Sequence, residues 1–250
     1  TREIATVYLG GGTPSQLALA ELEEIVSSIK ERFAVAADAE ITIEANPDDV
    51  TEEWCASIVR LGFNRVSLGI QSFDDNILKF IRRRHTARQA KEAVELLASH
   101  VGNISIDLIY GLPGQSPDLW ESDLRQAFAL PVKHLSAYAL SIEEGAPLWQ
   151  MVRQKKIEET DEETERAMYE RLIDTAEAQG FEHYELSNFA LPGYRSRHNS
   201  SYWHDVPYLG LGPGAHSYDG AARYANRPDL NAYLAAPEEC LVKECLSENE

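Results

Sequence analysis

Ile4-Ala5-Thr6-Val7-Tyr8-Leu9-Gly10-Gly11-Gly12-Thr13-Pro14-Ser15 carries an apolar run straight into three glycines and then into an amphipathic segment. This is the pattern of a strand, a bare-backbone turn and a helix. Glycine has no Cβ, so such a turn can take positive φ and let a ligand lie directly against main-chain N–H and C=O groups. A helix opening just beyond it adds free N–H donors and the positive end of its dipole. The same triplet also serves as a tight packing connection, and by itself it does not choose between the two roles. It lacks the G-x-G-x-x-G spacing of dinucleotide folds and the Gly-Lys-Ser/Thr of P-loops, so those readings drop out.

Working outward, strand and helix patterns alternate. Leu19, Leu22, Val26, Ile29 and Phe33 are spaced by three and four, which predicts one helix over 15–33. Glu40–Ala45 alternates as a strand, and Thr51 is placed to cap a helix that Gly62 stops. Arg65–Ile70 is a strand ending at Gln71, followed by helical pieces over 74–81 and 87–99. Asn103–Tyr110 is the next strand, then a helix over 116–128 and a strand over 134–140. Thr160-Asp161-Glu162-Glu163 has the form of a capping box opening a helix to Gln179, and Glu182–Leu186 is a last strand. Beyond it Gly, Pro and aromatic residues dominate and periodicity is lost. Such alternation predicts an α/β fold with a parallel sheet.

Composition narrows the function classes. At 250 residues and 44% hydrophobic the chain can bury a full core. Its 23 basic and 41 acidic side chains give a formal charge of -18, which argues against nucleic acid and against an anionic membrane surface. No apolar run reaches the roughly 20 residues of a membrane span, and no signal-peptide pattern is present, so a cytoplasmic protein is expected. Cys55, Cys240 and Cys245 form neither a disulfide framework nor a metal-ligand pattern. The acidic run Glu158–Glu165 reads as solvated charge at a helix N-terminus.

The polar residues fall at one place in each unit. Gly11-Gly12-Thr13, Glu44, Gln71, Asp107 and Ser141 stand at, or just past, successive strand C-terminal ends. In a parallel barrel or open sheet that rim is where sites form. Glu44 and Gln71 each have a local alternative, capping a turn or holding their own loop. Asp107 stands among Ile104, Ile106, Leu108 and Ile109, where a carboxylate needs a paired charge or several donors. Arg82-Arg83-Arg84 supplies candidate partners, of which at most one need point inward. Acidic groups and an arginine about bare backbone suit a small zwitterion better than a polyphosphate.

Gly10-Gly11-Gly12-Thr13-Pro14, Ile43-Glu44-Ala45-Asn46-Pro47, Gly69-Ile70-Gln71-Ser72-Phe73 and Ile106-Asp107-Leu108-Ile109-Tyr110-Gly111-Leu112-Pro113 occur in this order. Together they resemble the radical S-adenosylmethionine (SAM) proteins related to oxygen-independent coproporphyrinogen III oxidase, over about residues 4 to 220. The resemblance implies a partial (β/α)6 barrel with its first strand missing, and SAM at the rim. It implies that Gly11, Gly12 and Thr13 meet SAM through backbone, and that Glu44, Gln71, Arg83 and Asp107 line its polar ends. Ser141 and His216 align with positions that touch the nucleoside.

Arg197-His198-Asn199-Ser200-Ser201-Tyr202-Trp203 and Leu209-Gly210-Leu211-Gly212-Pro213-Gly214-Ala215-His216 are similar to the HemW branch, whose members look like haem chaperones. That implies haem or porphyrin as ligand, a haem-accepting protein, and an electron donor for a [4Fe–4S] cluster. His198, Asn199, Tyr202 and Trp203 are the candidate haem-side residues, imidazole being a common axial ligand. A hydrogen-bonded loop role is the alternative for each histidine.

Two departures shape the expectations. The family's C-x-x-x-C-x-x-C lies before the triple glycine, and the chain starts at Thr1 with its first strand three residues away. A fragment is therefore expected, with residues 1–220 as a truncated core and 221–250 opening a further region. No metal ligands are expected in this piece, and it should do no radical chemistry by itself. Arg82 stands where many relatives have glycine. The alternatives to a HemW-like protein are an oxygen-independent coproporphyrinogen III oxidase proper and a barrel enzyme or scaffold that uses no cluster.

Overall fold

The computed structural model describes residues 3–245. They form two compact units that divide between Ser196 and Arg197. In the first, a seven-stranded sheet has the order β1-β2-β3-β4-β5-β7-β6. Its strands are β1 (Ile4–Leu9), β2 (Val35–Ala45), β3 (Arg65–Gln71), β4 (Asn103–Tyr110), β5 (His134–Ala139), β6 (Glu182–Glu185) and β7 (Asn188–Ala190).

Neighbours from β1 to β5 pair in parallel and in chain order. The helices between them are α1 (Leu19–Arg32), α2 (Glu52–Leu61), α3 (Asp75–Phe80), α4 (Ala87–Ala98) and α5 (Pro117–Phe128). Because crossovers are right-handed and the strand order never reverses, these helices cover one face and the sheet curls as part of a barrel. The expected α/β barrel-type fold is therefore what the sequence forms.

Two expectations change. The helix predicted from Ser15 begins at Leu19, because Pro14–Gln16 closes as a 3-10 turn and Ala18 stays extended. α6 (Pro147–Arg153) is followed by α7 (Glu162–Ala178), whose N-cap is Asp161, its carboxylate accepting the Thr164 N–H at 2.9 Å. Thr160 instead donates its hydroxyl to the Gly111 carbonyl at 3.0 Å, so there is no capping box. Elsewhere the caps act as expected: Thr51 accepts from Trp54, and Gly62 ends α2 at φ 101°.

Past Glu185 the chain turns through Leu186-Ser187 into β7, which pairs antiparallel with both β6 and β5. Two residues between strands suffice only for a hairpin, so a parallel crossover is excluded there.

Period-2 alternation sorts the side chains. Ile43 of β2, Val66, Leu68 and Ile70 of β3, and Ile106 and Leu108 of β4 are buried in the apolar layer, with Leu22, Ile58, Val94 and Leu124 from the helices. The alternate residues of β2 to β5, Thr42, Glu44, Arg65, Ser67, Ser105, Asp107, His134 and Ser136, give the other face a polar lining.

The second unit holds α8 (Arg197–Trp203), a three-stranded antiparallel sheet of β8 (His216–Tyr218), β9 (Ala222–Asn226) and β10 (Leu241–Cys245), and α9 (Leu230–Ala235). Cys55 and Cys240 are free and buried, so both serve as small packing residues. Among the described residues no helix is long and apolar enough to cross a membrane.

Candidate functional site

At the C-terminal end of β1 the chain makes its glycine turn beside Glu44. The Glu44 carboxylate accepts the Tyr8 hydroxyl at 2.7 Å and the Gly11 N–H at 3.0 Å. It therefore braces the turn, and the alternative of a local cap for Asn46-Pro47 is set aside. Burial and Glu44 together push the Tyr8 hydroxyl well above the ordinary phenol range. Gly10 is required by close approach: a Cβ there would stand 2.5 Å from the Tyr8 ring and 2.7 Å from the Glu44 carboxylate. Gly11, at φ 92°, and Gly12 are different, because a Cβ on either would meet no atom within 4 Å. The Gly12 backbone makes no hydrogen bond among the described residues. Thr13 uses its carbonyl to accept from Gln16.

The next rim position is shaped by a bulge. The β3–β4 register shifts between Gly69 and Gln71, and Gln71 takes φ 73°, a left-handed conformation uncommon for a residue with a side chain. The amide reaches back over Gly69, where a Cβ would lie 3.0 Å from Gln71 Nε2 and 3.3 Å from Arg83 Nη2.

Of the three arginines only Arg83 turns to the rim. Its Nη2 donates to Asn46 Oδ1 at 2.5 Å and to the Gly69 carbonyl at 2.7 Å, leaving Nε and Nη1 uncommitted among the described residues. Burial lowers its pKa, against the raising effect of Asp48. Arg84 pairs with Asp48 at 2.9 Å and Asp49 at 3.3 Å, and Ser15 Oγ donates to Asp49 at 2.7 Å. The first two βα loops are thereby tied together. Arg82 has φ 59°, which gives a physical reason for glycine at this position in a family.

Asp107 is not in the apolar surroundings its sequence neighbours suggested. Ile106 and Leu108 face the helices, while Asp107 faces the polar side and accepts Ser67 Oγ at 3.1 Å. Its pKa is pushed up to about 6: burial raises it most, Ser67 lowers it, Glu44 raises it, and Ser136 and Arg65 lower it. A carboxylate so placed gains from a cationic partner. Asp107, Gln71, Ile109, Tyr138 and the 139–141 segment ending at Ser141 line an open cavity of about 350 Å³.

In the second unit, His198 Nε2 lies 3.0 Å from the Tyr202 hydroxyl, and Tyr202 packs edge-on against Tyr208 at 4.8 Å. Tyr202 and Trp203 are 49% and 62% exposed, which leaves aromatic surface open on α8. His216 is exposed, and the Gly210 backbone lies against its carbonyl with no room for a Cβ. Asn199 makes a further polar interaction of its own.

Several residues of the site carry no motif. Tyr8 and Ser67 could have been found from alternation, since each is an even number of residues from a rim position, Gly12 and Gln71 respectively; Tyr138 is an odd number from Ser141 and could not. Burial and Asp107 push the Tyr138 hydroxyl up to about 12. Asp123 supports the rim from α5: its buried carboxylate accepts Phe73 N–H at 2.7 Å, Ser72 Oγ at 2.8 Å and Gln115 Nε2 at 3.4 Å. Gln115 in turn accepts the Leu112 N–H, so one carboxylate holds the loops after both β3 and β4. The signal was a lone acid within the stripe Trp120, Asp123, Leu124 and Ala127.

Among the described residues no three His, Cys, Asp or Glu side chains are grouped to hold a metal ion. The described residues therefore do not supply the ligands of an iron–sulfur cluster.

Known proteins resemble this chain over most of its length. The Radical SAM superfamily model matches residues 1–127. "Heme chaperone HemW" of Lactococcus lactis subsp. lactis (strain IL1403) is 38% identical over 244 residues, covering 97% of this chain and 64% of that protein. "Heme chaperone HemW" of Escherichia coli (strain K12) is 39% identical over 217 residues, covering 86% of this chain and 56% of that protein. The chain thus spans less than two thirds of the length of these curated relatives. Among solved structures, coproporphyrinogen III oxidase (HemN) from Escherichia coli matches with a TM-score of 0.82 at 24% identity, over 98% of this chain and 60% of that one.

Proposed function

The chain belongs to the radical SAM superfamily, and on that premise we propose that its barrel rim seats S-adenosylmethionine in a protein that binds haem and passes it on. The observation that carries the SAM reading is the open backbone at Gly11 and Gly12 beside the Glu44 carboxylate. Around it stand the donors and acceptors a zwitterionic nucleoside needs. Arg83 Nε and Nη1 suit the ligand carboxylate in the bidentate manner of a guanidinium. Asp107 and Glu44 suit its positive centres or ribose hydroxyls, Gln71 a polar edge and Ser141 the nucleoside; His216 is a nucleoside candidate by resemblance alone. SAM supplies a sulfonium carbon; these residues bind and orient it and keep its charges compensated.

The haem reading rests on the relatives named heme chaperones and on the aromatic surface of α8. His198, Asn199, Tyr202 and Trp203 are its candidate residues. If His198 Nε2 is the axial ligand, its bond to the Tyr202 hydroxyl must open first. A haem-accepting protein and an electron donor for the cluster complete the proposal, as does a cytoplasmic location. The core over 1–220 with a further region from 221 is part of it too. The likeness to the oxidase, at 24% identity, shows the fold and carries no substrate.

The test is a haemin titration of the whole protein after cluster reconstitution. A saturable Soret change that His198→Ala weakens at least tenfold is expected. Absence of any saturable change sinks the haem reading, and anaerobic conversion of coproporphyrinogen III in the presence of SAM would favour the oxidase instead.

A further inference from the structure

Arg65, the first residue of β3, is only 1% exposed and lies at the opposite end of that strand from the rim. Alternation sets it on the same polar face as Ser67, whose hydroxyl donates to Asp107. The sheet register aligns Arg65 with Thr42 on one side and Asn103 on the other. In that row Thr42 Oγ1, Arg65 Nε and Asn103 Oδ1 are buried without a hydrogen-bond partner. Among the described residues Arg65 enters no salt bridge. A buried guanidinium is tolerated only where negative charge compensates it. The carboxylates of this face are Glu40, Glu44 and Asp107.

We propose that Arg65 is the counter-charge of the barrel interior, holding Asp107 in its charged form from beneath and so preparing the rim for a cationic ligand. Only the final clause rests on the SAM reading; the link between Arg65 and Asp107 is a property of the unliganded chain.

The other groups on this face do not substitute for it. Tyr8 of β1 and Tyr138 of β5 are both pushed upward, Tyr138 to about 12, and stay neutral. His134 of β5 is lowered by burial and then by Arg65, with its ring nitrogens 2.7 Å from Ser105 Oγ and 2.8 Å from the Tyr184 hydroxyl. It is a neutral imidazole. Tyr184 of β6 is likewise pushed up to about 12 by burial, and Glu185 and Glu40 add negative charge. Arg83 lies at the rim, bonded to Asn46 and Gly69. Arg65 is thus the cation beneath Asp107, and Arg65 is among the influences that lower the Asp107 pKa.

The sign follows. A carboxyl whose folded pKa is raised, here to about 6 from 3.8, loses stability for the fold as pH rises through that window. Removing Arg65 must push the upper edge of the window higher.

The direct test is carbon-13 NMR titration of the Asp107 carboxyl in the unliganded full chain. Wild type should titrate near pH 6. Arg65→Gln should move that midpoint up by roughly half a pH unit, and Arg65→Lys should return it to the wild-type value. In wild type, the Arg65 guanidinium nitrogen-15 resonances should inflect at the Asp107 midpoint, a measurement that stands even if Arg65→Gln does not fold. An Asp107 midpoint unmoved in folded Arg65→Gln, or Arg65 resonances with no inflection, overturns the proposal. A wild-type chain that binds no SAM at any pH would defeat the ligand reading alone, and these titrations would still decide the role of Arg65.

Discussion

Replacing Glu44 with alanine is expected to weaken SAM binding by about 2–3 kcal/mol, roughly 30- to 150-fold in Kd. Two losses combine. The proposed ligand loses a carboxylate that faces its positive centres. The glycine turn loses its brace, because the Tyr8 hydroxyl and the Gly11 N–H both depend on that group. Glu44→Gln separates the two, since its amide oxygen still accepts one of these donors while the charge is gone. It should cost about 1 kcal/mol less than the alanine variant. Calorimetric titration of SAM into the folded variants gives the comparison. Equal affinity for wild type and Glu44→Ala would remove Glu44 from the site.

Asp123→Ala is expected to lower the stability of the first unit by about 3 kcal/mol, read from denaturant unfolding. The carboxylate is 1% exposed and accepts from Phe73 N–H, Ser72 Oγ and Gln115 Nε2, so its removal strands buried donors from two loops. Ser72 Oγ also accepts the Asp74 N–H at 3.1 Å, and that bond can persist without Asp123. The effect should reach the rim. Gln71 precedes Ser72 and sits at φ 73°, a conformation that persists only when its surroundings enforce it. Once Ser72 and Phe73 are released, Gln71 can relax to an extended backbone and carry its amide away from Gly69. A further loss of about tenfold in SAM affinity is therefore expected under conditions where the variant is still folded. Asp123→Asn keeps an acceptor for Phe73 N–H and should lie between the two. A variant with wild-type stability would show that the loop is held by other contacts.

The difference between Glu44 and Asp123 marks what could be read from the sequence. Glu44, Gln71 and Asp107 stand at strand ends, and strand ends are set by local alternation and by turn residues. Asn103–Tyr110, the Thr51 cap and the Gly62 stop follow from the same short-range chemistry. Asp123 lies on a helix and reaches its partners across 50 residues of chain, a relation no window of sequence contains. The surroundings of Asp107 were misjudged for a related reason. Ile104, Ile106 and Leu108 belong to the opposite face of the sheet, and only the winding of the chain decides which face the helices cover. The same information is needed to see Arg65 as an interior charge. The β6–β7 hairpin was missed because Asn188–Ala190 is three residues long, too short to show a period. The arginine run needed the structure as well: Arg83 turns inward because the chain turns at Arg82, and Arg84 goes to Asp48 and Asp49.

The central claim is that the glycine turn is a ligand seat, and Gly12→Ala tests it most directly. Its backbone is outside the left-handed region and a Cβ would meet nothing within 4 Å, so packing gives no reason for glycine there. Stability should stay within about 0.5 kcal/mol of wild type. SAM affinity, measured by calorimetry on the same preparation, should fall by about tenfold or more, because the added methyl occupies the surface on which the ligand lies. Unchanged SAM affinity in Gly12→Ala would contradict the account.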